Sequence, residues 1–278
     1  MPKESLVILI ILAIIFFAIP GIIIGITVPI SVYKNRRIDF VKEHSVALKA
    51  IKKLNSQYKF YVVSPITLSH RYDNKDFFED VTPTDYLVYD IAESVEKYKT
   101  EIKKAEYNDQ QFKKYADKIR AYHYGEFDVD SSRYKKEKLV KIEKSIIKPI
   151  IKCPATTFWT SVKLTRTDLK GQWFESKRGS FTMQEVKSLI TAVSQKRGTY
   201  YLNQAVWKSI EKVERSLVSN KLRFAIFNRD GNRCCKCGSR DNLEIDHIIP
   251  ISKGGKSVPN NLQTLCHDCN YQKGNSLY

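Results

Sequence analysis

Two Cys-x-x-Cys pairs constrain this chain more than any other feature: Cys234 with Cys237 in "CCKC", and Cys266 with Cys269 in "CHDC". Each pair can wrap two sulfurs around one corner of a tetrahedron, and four thiolates close a structural zinc site. The interval between the pairs is longer than the roughly 15–20 residues of a plain zinc ribbon. A segment this short folds poorly on hydrophobic burial alone, so zinc would act as a substitute core. Cys235, between the ligands, is expected to point away. His267 could compete for the metal, but the thiolate spacing favours the cysteines. Cys153 stands apart, and this crowding is not the spread of a disulfide framework. It reads as metal-binding thiolate in a reducing compartment.

At the other end, "LVILIILAIIFFAIPGIIIGITVPI" (Leu6 to Ile30) carries no charge. A spanning helix needs about 20 predominantly apolar residues. The run is longer than a signal-peptide apolar region and lacks a small-residue cleavage site, so an uncleaved anchor is expected. Lys34, Arg36 and Arg37 follow it at once, which by the positive-inside rule puts the rest of the chain in the cytoplasm. The expected localisation is therefore a single-pass membrane protein with its C-terminal part cytoplasmic.

Between these ends the sequence reads as a basic, mainly helical region with a small β part. The net charge is +17, and most of the surplus falls in 34–220. Such a surplus favours polyanions, either nucleic acid or anionic lipid. "KFYVV" (Lys59 to Val63) predicts a short strand, and "TPTD" (Thr82 to Asp85) a capped helix start. Behind it Ile91, Tyr98, Ala105, Phe112 and Ile119 recur every seven residues. That heptad predicts a long helix or coiled coil, with a possible homodimer through 85–122, or a stripe packing inside its own domain. "YND" (Tyr107 to Asp109) could break it into a hairpin. Phe158 to Leu164 alternate as a strand, "DLKG" (Asp168 to Gly171) turns into a second strand, and "TMQE" (Thr182 to Glu185) opens another helix. No nucleotide-binding glycine loop is present, and no small-molecule cofactor is expected.

Within the cysteine interval, "LEIDHIIP" sets Asp246 and His247 side by side among apolar residues. Buried carboxylate and imidazole cost several kcal/mol unless partnered. The order here is strand, a mobile "SKGGKS" loop, a second strand "NLQTL", and a short helix after Cys266. "FNRDGNRCCKCG", "DHIIPISKGG" and "NNLQTLCHDCNYQKGN" together resemble an HNH nuclease of the zinc-knuckle type, the ββα-metal or His-Me finger fold, over about Leu222 to Asn275.

That resemblance implies a general base, His247, a metal ligand, Asp246, and a middle asparagine, Asn261, that orients the histidine and ties down the loop. Asn270 matches the third motif position, giving a His-Asn-Asn variant. An amide oxygen beside a carboxylate is a hard donor set that suits Mg²⁺ or Mn²⁺. Arg223, Arg229, Arg233 and Lys273 are candidate phosphate contacts.

The full expectation is an α+β chain. It has a transmembrane anchor (1–33), a helical or coiled-coil spacer (34–152), a small α+β region (153–220) and a zinc-stapled nuclease finger (221–278). It would cut DNA, double-stranded by default. The alternative is a non-catalytic zinc finger that binds nucleic acid, or a membrane scaffold.

Overall fold

Local hydrogen bonding sets where the helices begin. The Thr82 amide donates to Asp85 Oδ2 (3.0 Å) and the Asp85 amide to Thr82 Oγ1 (3.1 Å), a reciprocal cap. Thr182 and Glu185 repeat the arrangement. The computed structural model describes residues 34–167, 174–197 and 200–277, and these fall into two compact units that interleave along the chain rather than follow it in order.

One unit comprises the described residues up to Tyr61 together with Asn108–Pro154. It holds helix α1 (Val46–Gln57). Leu48 and Ile51 of α1 pack with Ile147 in a small apolar core. The other unit comprises Val62–Tyr107 and Ala155–Tyr278. It opens with strand β1 (Ile66–Tyr72) and helix α2 (Lys75–Asp80). Helix α3 (Pro83–Arg120) contributes residues to both units. Helix α4 (Lys136–Ile147) belongs to the first.

Strands β2 (Trp159–Thr167) and β3 (Phe174–Thr182) complete a sheet in the order β1-β2-β3, parallel then antiparallel. One face carries Ile66, Leu68, Val162 and Leu164, buried with Tyr98 and Phe158 in the main core. Helix α5 (Met183–Ser194), the two-residue strands β4 (Lys196–Arg197) and β5 (Tyr200–Tyr201), and helix α6 (Gln204–Ser216) follow. Val206, Ile210 and Val213 anchor α6 to the same core.

The C-terminal finger starts with helix α7 (Asn220–Arg229). Strands β6 (Leu243–His247) and β7 (Leu262–Cys266) then pair antiparallel, and helix α8 (His267–Lys273) packs behind them.

Several expectations are corrected. The membrane-anchored fold class and the membrane localisation do not stand. Among the described residues no helix is long and apolar enough to cross a membrane, and the architecture is mixed α+β with a C-terminal cysteine cluster. The span expected over 1–33 lies outside the described residues, as does the "DLKG" turn. The heptad stripe does not serve a coiled coil or a dimer through 85–122: Ile91, Tyr98, Ile102 and Ala105 are buried in their own unit. Helix α3 runs through "YND" and kinks instead at Ser94 (φ −140°, ψ 44°). "KFYVV" is not a strand, because the Asn108 amide takes up Tyr61, accepting from its N–H (2.9 Å) and donating to its carbonyl (2.8 Å).

Candidate active site

Four sulfurs organise the finger. The Sγ atoms of Cys234, Cys237, Cys266 and Cys269 lie within 4.8 Å of one another. Cys237 and Cys266 are 3.6 Å apart, near the roughly 3.8 Å edge of a tetrahedron with Zn–S bonds of about 2.3 Å. Burial alone would push the Cys234 thiol up, but the backbone amides of Cys237, Cys266 and Lys236 bring it down to about 6. The neighbouring sulfur of Cys266 pushes Cys269 up to about 12, with burial adding to it. Crowded thiols of this kind resist ionising together, and a divalent cation at their centre reverses that cost. The donor set and spacing fit zinc. His267 lies outside the cluster, its Nδ1 against Glu244 Oε1 at 2.9 Å, and Cys235 is exposed.

At the end of β6, Asp246, His247 and Asn270 line one cavity of about 310 Å³. Asp246 Oδ2 is taken up inside the finger, accepting from Gln263 Nε2 at 2.9 Å and pairing with Lys273 Nζ at 3.0 Å. The Asn270 amide donates to Glu244 Oε2 at 2.6 Å. Asp246 Oδ1 and Asn270 Oδ1 make no hydrogen bond among the described residues. Two oxygens are therefore left for a hard cation, and the residues present fit one.

His247 is oriented by Ser257 of the finger's own loop, which is held in turn by Glu214 from outside the finger. Its Nε2 lies 2.8 Å from Ser257 Oγ. Ser257 Oγ donates its single proton to the Glu214 backbone carbonyl at 2.5 Å, so Nε2 must be the donor to Ser257. That fixes the tautomer and leaves Nδ1 with its lone pair. Burial lowers the imidazole below its ordinary 6.5. Arg215 and Lys273 add to this, while Asp246 and Glu214 oppose it.

Glu214 itself, with a side chain only 1% exposed, grips the loop. It accepts from the Ser257 amide at 3.0 Å and pairs with Lys256 at 2.9 Å. Lys256 also reaches Glu93 at 2.6 Å. The glycine-lysine loop, expected to be mobile, is thus fastened at its C-terminal end. Asn261 fastens it further: its Oδ1 accepts from the Ile249 amide (2.8 Å), and its Nδ2 donates to the carbonyls of Ile249 and Lys256. Gly255 is required here, since a Cβ would sit 1.8 Å from the Ile249 oxygen.

The four candidate phosphate contacts separate. Lys273 is buried against Asp246 and donates to the His247 carbonyl at 2.8 Å, which corrects its expected surface role. The Arg229 guanidinium bonds Asp230 and the carbonyls of Pro259 and Leu262, tying α7 to β7. Arg223 is half-buried and Arg233 exposed. The sequence reading missed Glu214, Ser257 and Glu244, and it missed Trp207, Glu211 and Arg215, which α6 contributes to the cavity wall. A buried carboxylate on an amphipathic helix was the one available signal.

The family model for HNH endonuclease matches residues 234–276. This segment is an HNH endonuclease domain. The CRISPR-associated endonuclease Cas9 of Corynebacterium diphtheriae is 38% identical over 60 residues, covering 20% of this chain and 6% of that protein. The chain thus spans a small fraction of the length of that relative. No solved structure matches the chain significantly.

Proposed function

We propose that the chain is a metal-dependent DNA endonuclease whose HNH domain hydrolyses phosphodiester bonds, with His247 as general base. The observation that carries this reading is the convergence of Asp246, His247 and Asn270 on one cavity, each with an unengaged donor atom. Asp246 Oδ1 and Asn270 Oδ1 would hold Mg²⁺ or Mn²⁺. When bound, the cation supplies charge stabilisation at the phosphate and leaving oxygen.

The chain's own residues do the rest. Nδ1 of His247 takes a proton from water; the Ser257 contact holds the ring in the tautomer that permits it, and burial keeps it neutral near physiological pH. Asn261 and Gly255 keep the loop carrying Ser257 in place. Lys273 balances the half-buried Asp246 carboxylate from behind. Arg215, on the cavity wall, pairs with Glu211 at 2.8 Å through Nη2 and would turn its remaining Nη1 to the phosphate.

The test is a plasmid-cleavage assay with the full chain in Mg²⁺ or Mn²⁺. Wild type is expected to nick or cut, and His247→Ala to lose activity while keeping its zinc. DNA binding without cleavage across a range of divalent metals would contradict the reading.

A further inference from the structure

The three-stranded sheet buries one face and leaves the other to solvent. Outward positions on β1, β2 and β3 carry Arg71, Trp159, Lys163, Phe174 and Arg178; every other outward position is serine or threonine. No carboxylate stands among them. Lys163 is directly opposite Arg178, and Arg71 lies in the next row, opposite Thr165. Like charges directly opposite destabilise a sheet.

None of these three cations forms an ion pair among the described residues. On the inward face of the same strands the cations are satisfied: Arg166 pairs with Glu175 at 3.2 Å, and Lys177 donates to the carbonyls of Phe78 and Glu79. In a chain whose 47 basic residues outnumber its 30 acidic ones, unpaired cations are expected somewhere; here three are gathered on one face with no described carboxylate among them, and such a face suits an anion.

Two aromatic rings specify which anion. Trp159 is 49% and Phe174 53% exposed, although both belong to residue types that cores normally take in. They sit at opposite ends of the outward face of β2 and its neighbour. At a strand rise of about 3.3 Å per residue they are roughly 26 Å apart, with the cations between them. Lys163 Nζ lies 5.5 Å from the Phe174 ring centroid. Beside it, Ser69, Arg71, Lys163, Thr165 and Phe174 line a hollow of about 410 Å³. An acidic peptide would use the cations and leave the rings idle; an anionic lipid surface takes up cations and interfacial rings alike, so binding to anionic vesicles with no binding to a single strand would overturn the assignment. A duplex hides its base faces. A single strand presents phosphates and unstacked bases together, and both features of the surface are then used.

We propose that the outward face of β1–β3 binds single-stranded nucleic acid, with phosphates on Arg71, Lys163 and Arg178 and bases stacked on Trp159 and Phe174. The proposal does not rest on the finger's catalytic chemistry and holds whether or not the finger cuts.

The test is fluorescence anisotropy with the full chain, a labelled oligothymidine and the corresponding duplex, without added Mg²⁺ or Mn²⁺, over a salt series. The single strand is expected to bind more tightly than the duplex. R71Q/K163Q/R178Q should weaken single-strand binding tenfold or more and reduce the log–log salt slope by about 2, at roughly 0.7 for each phosphate no longer neutralised. W159A/F174A should also weaken it about thirtyfold or more, with the salt slope unchanged. Circular dichroism and zinc content check folding, and K163Q alone, with a slope smaller by about 0.7, serves if the triple variant misfolds. Unchanged affinity and slope in both the aromatic and the charge variants, or tighter binding to duplex, would overturn the proposal.

Discussion

The sheet-bearing part of the second unit and the finger that follows it are held together by opposite means. Around the sheet, Tyr98, Phe158, Leu164, Ile91 and Val213 are nearly inaccessible, and long-range apolar packing sets the order. The finger buries few apolar residues beyond Ile226, Leu262 and Leu265. Its order comes from four sulfurs and a polar lattice: Arg229 with Asp230, Lys273 with Asp246, and Asn261 across the loop. Apolar packing tolerates gradual substitution. A polar lattice fails one partner at a time, and each failure reaches the cavity.

The largest effect should follow from removing a sulfur. Cys266→Ser is expected to abolish zinc binding and unfold the finger, since structural zinc contributes on the order of 10 kcal/mol to such domains. Limited proteolysis should then cut within 221–277 and spare the sheet region. Equal protection of both would break the contrast between them. In the other part, Phe158→Ala should cost about 3–5 kcal/mol in denaturant unfolding, while zinc content stays at wild-type level.

The next effect is catalytic. Ser257→Ala removes the partner that fixes the His247 tautomer, and it should slow cleavage about 10–100-fold with zinc and melting temperature nearly unchanged. In wild type, burial holds His247 below 6.5. The base form therefore persists as pH falls to 6.5, and the acidic limb of the pH–rate profile should have its midpoint below that value. Ser257→Thr, which keeps the hydroxyl, should recover much of the rate.

Gly255→Ala should lower stability by about 1–3 kcal/mol, because the added methyl forces the loop off the Ile249 carbonyl, and the displaced Ser257 should slow cleavage less than Ser257→Ala does. A melting temperature equal to wild type would mean that the loop has room that its backbone does not show.

The same contrast explains what could be read from the sequence. The finger was legible because its determinants are local in sequence: cysteine spacing, Asp246 beside His247, Asn261 and Asn270 at fixed offsets. The residues that complete it were not. Glu214 and Ser257 meet across a long stretch of chain; the place of Glu214 on the apolar face of α6 signals a buried carboxylate without naming the loop that it anchors. Lys273 looked like a surface cation because only its pairing with Asp246, on the facing strand, reveals that it is interior. In the sheet region β1 was missed, since "ITLSHRY" is polar along its outward face and gains strand order only by pairing with β2. The heptad in α3 was real as a period, but its partner was the chain's own core. Where order depends on neighbours distant in sequence, composition and period name the element without naming what it packs against.

The most direct measurement is a crystal structure of the His247→Ala variant grown with zinc and soaked in Mn²⁺, with anomalous scattering recorded at both absorption edges. One zinc peak is expected among Cys234, Cys237, Cys266 and Cys269, and a separate manganese peak in the cavity bounded by Asp246 and Asn270. Manganese absent from that cavity, or bound at the cysteines in place of zinc, would contradict the two-metal assignment.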